Sequence, residues 1–149
     1  MPSFMAIALN EARAAGAAGE VPVGCVIVRD GAVIAGAGNR TIAERDPTAH
    51  AEMLAIRAAA ALLGSERLTD CDMYVTLEPC AMCAAAISFA RIRRLYYGAS
   101  DPKGGAVEHG VTFFESRTCH HRPEVYSGIG DGEAAALLQA FFHARRGQG

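Results

Sequence analysis

The apolar positions of this chain keep changing rhythm between a helical and an extended period. From Phe4 to about Ala18 an Ala-rich stretch places Phe4, Ile7/Ala8 and Ala12 at helical spacing, and the glycines at 16 and 19 end it. A β-branched run, Val23 to Arg29, follows, then Asp30-Gly31, then Ala32 to Ala37. Asp-Gly between two such runs predicts a tight hairpin, because its turn needs two positive-φ residues. Beyond a polar connection over 39–46, Pro47 is predicted to open a second helix reaching about Leu63, with Asp46 or Thr48 as its cap and Gly64 as its stop. Asp72–Leu77 reads as a third strand, Cys80–Ala90 as a helix behind Pro79, and Leu95–Gly98 as a fourth strand. Residues 99–124 form a long loop with a helical turn near Val111–Glu115. Val125–Ser127 is a short fifth strand, and Asp131–Arg146 a final helix with Leu137/Leu138 and Phe141/Phe142 on its apolar face. Strands that alternate with helices predict a layered α/β domain, and the opening hairpin makes its sheet mixed.

Composition narrows the class. A chain of 149 residues with 51% apolar and 20% charged residues is expected to form one globular domain over 1–149. No stretch approaches the ~18 apolar residues of a membrane span. The N-terminus lacks a basic region before an apolar run, so a cytoplasmic location is expected. The net charge of −2 does not announce a nucleic-acid binder, although Arg91, Arg93 and Arg94 cluster, as do Arg145 and Arg146. Taken alone, either cluster reads more readily as a solvated face than as a phosphate site.

Five cysteines, an odd number, argue against a disulfide framework. Cys80 and Cys83 have Cys-x-x-Cys spacing, which by itself divides evenly between metal and redox chemistry. At i and i+3 on a helix the two sulfurs share a face, and a helix N-terminus favours the thiolate. His50 and Glu52 form a His-x-Glu pair that alone is commonplace. Together the two segments give two thiolates and one imidazole, three zinc ligands with a fourth position left for water. Glu52, two residues from the His, can face that water without binding the metal, as a general acid/base. His-x-Glu followed by Pro-Cys-x-x-Cys is the known signature of zinc nucleobase deaminases. Cys119, His120 and His121 are adjacent and read as loop residues rather than a second site. Cys25 reads as a small core residue, Cys71 as a loop or strand-edge thiol, and Glu78 as bonded to neighbouring backbone.

These residues also carry a wider resemblance. Val21-Pro-Val-Gly24, Asn39-Arg40, Asp46-Pro-Thr-Ala-His-Ala-Glu52, Tyr74-Val-Thr-Leu-Glu-Pro-Cys80, Asp101-Pro-Lys-Gly-Gly-Ala106 and Phe141-Phe142 before Arg145-Arg146 make the chain similar to the bacterial tRNA-specific adenosine deaminases. The resemblance implies a three-layer α/β/α cytidine-deaminase-like sandwich with a mixed five-stranded sheet. It implies one zinc per subunit, a homodimer, and an anticodon stem-loop of tRNA as partner, with adenosine at the wobble position converted to inosine. It places Asn39 and Ala49 at the flipped adenosine, and Asp101, Lys103, Phe142 and Arg145 along the RNA. The alternative is a free-base or nucleotide deaminase of the guanine or cytosine type, which would share the four catalytic-centre residues. A zinc-stabilised binding module is disfavoured, since structural zinc takes four protein ligands.

Overall fold

A computed structural model describes residues 3–146. Its elements are α1 (Phe4–Ala17), β1 (Gly24–Arg29), β2 (Ala32–Gly38), α2 (Ala51–Leu63), β3 (Cys71–Leu77), α3 (Ala81–Ala90), β4 (Arg94–Ala99), a 3-10 turn (Phe113–Glu115), β5 (Glu124–Tyr126) and α4 (Asp131–Arg146). The five strands form one sheet in the order β2-β1-β3-β4-β5. β1 runs antiparallel to both neighbours, while β3, β4 and β5 run parallel. Helices α1 and α4 cover one face, α2 and α3 the other. This is the expected mixed α/β/α sandwich.

The continuous apolar run of β1 follows from that layering, because both of its faces are buried. Cys25 and Ile27 point into the core beneath α2 and α3, with Met73, Val75, Leu95 and Tyr97. Val26 and Val28 point the other way, against Met5, Ala8 and Leu9 of α1 and Ala134 of α4. Gly24 lets α1 lie directly on the sheet: a Cβ there would stand 2.0 Å from the Ala8 carbonyl oxygen and 2.5 Å from the Ala12 nitrogen. At the hairpin Asp30 and Gly31 take φ values of 53° and 76°, the paired positive values that Asp-Gly favours. Tyr74, Tyr96 and Tyr126 occupy paired registers of β3, β4 and β5 and stack with centroids 4.3 and 4.9 Å apart. Such a ladder pins the parallel register.

Several element starts differ from the sequence reading. Helix α2 begins at Ala51 rather than Pro47. The Asp46 carboxylate accepts from the Thr48 amide at 2.8 Å and the Thr48 hydroxyl at 2.7 Å, holding residues 46–48 in a turn of their own. His50 is therefore the extended N-cap residue, with φ −74° and ψ 152°, outside the first turn. Cys71 is the first residue of β3, opposite Arg29, the strand-edge alternative of the sequence reading, and it is fully buried. β4 and β5 also begin one residue earlier than expected, where Arg94 pairs with Glu124.

Candidate metal and catalytic site

The register brings the two motif segments together. Gly38, ending β2, pairs with Gly24, beginning β1, whose amide donates to the Thr76 hydroxyl near the end of β3 at 3.1 Å. Leu77 in turn pairs with Ala99, the end of β4. The C-terminal ends of β2, β3 and β4 thus share one edge of the sheet. Asn39, the Glu78-Pro79-Cys80 turn and the Ser100–Asp101 turn all leave from it.

His50 and Cys80 are the N-cap residues of α2 and α3, and neither caps its helix with its side chain. Both side chains are free to turn toward each other. His50 Nδ1 lies 3.6 Å from Cys80 Sγ and 3.5 Å from Cys83 Sγ, and all three donor atoms fall within 4.8 Å of one another. Ideal zinc bonds at a tetrahedral angle put nitrogen and sulfur about 3.5 Å apart, so the donors already stand at the separation zinc requires. These are three protein donors, and the five cysteines are all free thiols. Among the described residues no other group of His, Cys, Asp or Glu converges in this way.

The electrostatics favour thiolate and a mobile proton. A hydrogen bond from Cys83, with help from His50 and the open amides of the helix start, brings the Cys80 thiol down to about 4. Cys83 is pushed up by sharing that bond and by burial, and His50 is raised by its bond to Cys80. Glu52, in the first turn of α2, is only 4% exposed. Burial raises its carboxyl to about 7, and the Cys80 charge adds to the effect. A carboxyl titrating near neutrality beside a three-ligand metal site suits proton transfer.

The residues that the resemblance assigns to the substrate fall in two groups. Asn39 and Ala49 lie beside the metal ligands. The Asn39 side-chain oxygen accepts the Ala51 amide at 2.8 Å, and the carbonyl of fully buried Ala49 accepts from Arg40 at 3.0 Å. Asp101, Lys103, Phe142 and Arg145 line one cleft of about 830 Å³, together with Val21 and Leu77. Arg145 donates to the Gly19 carbonyl and lies 4.3 Å over the Phe141 ring, while Phe142 is 47% exposed. Arg93 and Arg94 stand elsewhere: Arg93 grips Asp72 with two bonds and Arg94 pairs with Glu124 at 2.9 Å. Cys119 and His121 turn to backbone carbonyls, of His121 and Ile92 respectively, rather than to a common ion.

Two buried carboxylates shape the surroundings; sequence reasoning passed over Glu20 and gave Glu78 only a bond to neighbouring backbone. Glu20 accepts the amides of Ile42 and Ala43 at 3.1 and 2.8 Å, fixing the loop behind Asn39. Burial pushes its carboxyl up, but these amides and the Thr41 hydroxyl outweigh that and hold it below the ordinary value. Glu78 is bonded to backbone as expected, but to a distant loop, not its neighbours. Its carboxyl likewise ends below the ordinary range, burial being overcome by the donors of Asp101, Glu108 and His109. The only sequence signal for either was an acidic residue set inside an apolar segment.

A five-stranded mixed sandwich with this three-donor centre defines a zinc-dependent deaminase domain. The chain belongs to the cytidine and deoxycytidylate deaminase family, whose zinc-binding region matches residues 2–99. It is 64% identical over 143 residues to a tRNA-specific adenosine deaminase from Agrobacterium fabrum, covering 96% of this chain and 94% of that protein. A counterpart from Bacillus subtilis is 42% identical over 143 residues, covering 96% and 89%. Among solved structures, one from studies of A-to-I editing by tRNA:A34 deaminases at the wobble position superposes with a TM-score of 0.90 at 65% identity, covering 91% of this chain and 98% of that one. The guanine deaminase from Nitrosomonas europaea shares the fold at TM-score 0.75 and 27% identity, covering 93% and 82%.

Proposed function

We propose that this chain, as a single deaminase domain, converts adenosine to inosine by hydrolysis at the wobble position of a tRNA anticodon. The observation that carries the reading is the cleft beyond the metal site. A free base fills only the space beside the zinc ligands, whereas the cleft adds Lys103, Phe142 and Arg145, a cation, an exposed ring and a guanidinium. Phosphates and unstacked bases are what such groups take up. The 64% identity to a tRNA-specific adenosine deaminase points the same way.

His50, Cys80 and Cys83 would hold one zinc per chain. Zinc supplies a Lewis acid that makes a water nucleophilic near neutral pH. Glu52 takes the proton of that water and delivers it to N1 of the adenine. As the water oxygen bonds to C6, Glu52 goes on to carry that oxygen's remaining proton to the amino group, and the C6–N bond breaks to release ammonia and leave the C6 carbonyl of inosine. A carboxyl raised to about 7 can do both, because neither of its states is strongly preferred at neutral pH. Asn39 keeps its side-chain NH2 free to donate to the base while its oxygen serves Ala51. The base must leave the RNA stack to reach this site, and an anticodon loop yields one at low cost.

We also take the enzyme to act in the cytoplasm as a homodimer. Leu62 of α2 and Phe89 of α3 are 65% and 68% exposed, apolar surface that a second copy would cover. One assay tests the main reading: zinc-loaded protein is mixed separately with an anticodon stem-loop, adenine, guanine and cytosine. Ammonia from the stem-loop alone is expected. Ammonia from guanine or cytosine, and none from the stem-loop, would replace the reading with a free-base deaminase.

A further inference from the structure

The loop after β4 is organised by one side chain that belongs to another element. Glu78 lies between the end of β3 and the zinc-binding turn Pro79-Cys80, and its side chain is fully buried. Its Oε2 accepts three consecutive backbone amides, Val107 at 3.1 Å, Glu108 at 2.9 Å and His109 at 3.1 Å. Its Oε1 accepts the Asp101 amide at 3.0 Å and pairs with the His109 ring Nδ1 at 2.8 Å. Five donors therefore converge on one carboxylate and close residues 101–109 into a ring around it. The next residue continues the attachment, since the Pro79 carbonyl accepts the Ala106 amide at 2.8 Å. Gly105 passes so close that a Cβ there would stand 2.5 Å from the Glu78 carboxyl carbon. Within the ring, Asp101 Oδ1 accepts the amides of Lys103 and Gly104 at 3.2 and 3.0 Å, which shapes the turn that presents Lys103.

We propose that Glu78 is a positioning residue for the RNA: by tying the Asp101–His109 loop to the turn that carries Cys80, it sets the distance between the strand held at Lys103 and the base delivered to the zinc site. This rests on the RNA reading above. The chemistry supports a device of this kind rather than a simple core contact. A carboxylate is a costly way to fill a buried position unless all its lone pairs are used, and here they are used to fasten one loop. Only Pro79 separates Glu78 from Cys80, so the loop and the metal ligand cannot move independently.

The test uses full-length, zinc-loaded protein. Glu78→Gln replaces one acceptor oxygen with an NH2 group that meets donors. His109→Ala removes one donor, and His109→Asn restores one near the same place. Glu78→Gln is expected to keep one zinc per chain and to raise the KM for an anticodon stem-loop by roughly tenfold or more, the size of one lost directed interaction, with a much smaller change in single-turnover rate. Adding Lys103→Ala to Glu78→Gln should weaken binding little further, because a loosened loop no longer presents Lys103. His109→Ala should raise KM and His109→Asn should recover part of the loss. Parental KM in Glu78→Gln, or losses from Glu78→Gln and Lys103→Ala that multiply fully, would overturn the proposal. Should Glu78→Gln fail to fold, the His109 pair decides: equal KM in parent, His109→Ala and His109→Asn overturns it. A parent protein that deaminates no stem-loop would instead remove the RNA reading itself.

Discussion

The side-chain oxygen of Asn39 accepts the backbone amide of Ala51 at 2.8 Å, reaching across twelve residues of chain to the start of α2. Helix α2 needs that help. Its N-cap residue is His50, whose ring faces the two thiols and leaves the opening amides without a side-chain cap. Asn39 thus caps a helix from outside, and its side-chain NH2 group has no hydrogen-bond partner among the described residues.

Asn39→Ala removes both roles and is expected to lower stability by about 1 kcal/mol, the usual value of a cap, as well as activity. Asn39→Asp keeps the acceptor and loses the donor. Its melting temperature should stay near the parent's while stem-loop deamination falls at least tenfold. Parental activity in Asn39→Asp would show that the NH2 group does not serve the base.

Glu52→Ala separates metal binding from proton transfer. The carboxylate is not one of the three converging donors, so zinc content should remain one per chain. Turnover should fall by the ~10²–10⁴ that general acid–base catalysis supplies. Because Glu52 is buried with its carboxyl pushed up to about 7, its removal should cost little stability. Loss of zinc in this variant, measured by elemental analysis, would make Glu52 a ligand and reverse the assignment.

The chain's layers and its metal centre were legible because each rests on local chemistry. The Asp30-Gly31 turn, the doubly buried β1 run, and the His-x-Glu and Cys-x-x-Cys spacings are short-range signals, and the structure joins them as expected. What was not legible depends on pairing at long range. The start of α2 shifted because the Asp46 side chain took the Thr48 amide in a turn, which competes with helix at a position where Pro47 also fits. Glu20 was passed over, and the backbone partners of Glu78 were placed among its neighbours, because their partners lie more than twenty residues away, and periodicity does not register a carboxylate that serves a loop. The Arg91–Arg94 cluster shows the converse. Its cations drew notice in sequence, yet Arg93 and Arg94 are spent on Asp72 and Glu124.

Glu20 makes the loop behind Asn39 acid-sensitive. Its carboxyl titrates below the ordinary value of 4.5 in the folded chain. The stabilisation it gives is therefore complete above that value and is lost as pH falls through the lower, folded one. Glu20→Ala would strand the amides of Ile42 and Ala43 and is expected to cost ~1–3 kcal/mol near pH 7. The gap in melting temperature between parent and variant should be constant from pH 6 upward and narrow below about pH 4.5. A gap that widens in acid would mean that the carboxyl is not held in its charged form by these amides.

The final prediction separates RNA from a small substrate at the cleft. Lys103 is exposed and takes part in no ion pair among the described residues, so its removal should not disturb the fold. If it meets a phosphate, Lys103→Ala should weaken stem-loop binding and reduce the salt slope by about one. Phe142→Ala tests the other half of the cleft. Phe142 is 47% exposed, and stacking a base on such a ring is worth ~1–3 kcal/mol, so affinity should drop with the salt slope unchanged. Arg145 is a poorer probe, because its guanidinium also holds Gly19 and covers Phe141, and its loss would mix stability with binding. Both variants should keep zinc and parental melting temperatures. Isotherms of the anticodon stem-loop over a range of salt concentrations decide the matter. If Lys103→Ala and Phe142→Ala bind it as the parent does, with equal slopes, the cleft does not hold the RNA, and a free base would become the better candidate for the substrate of this site.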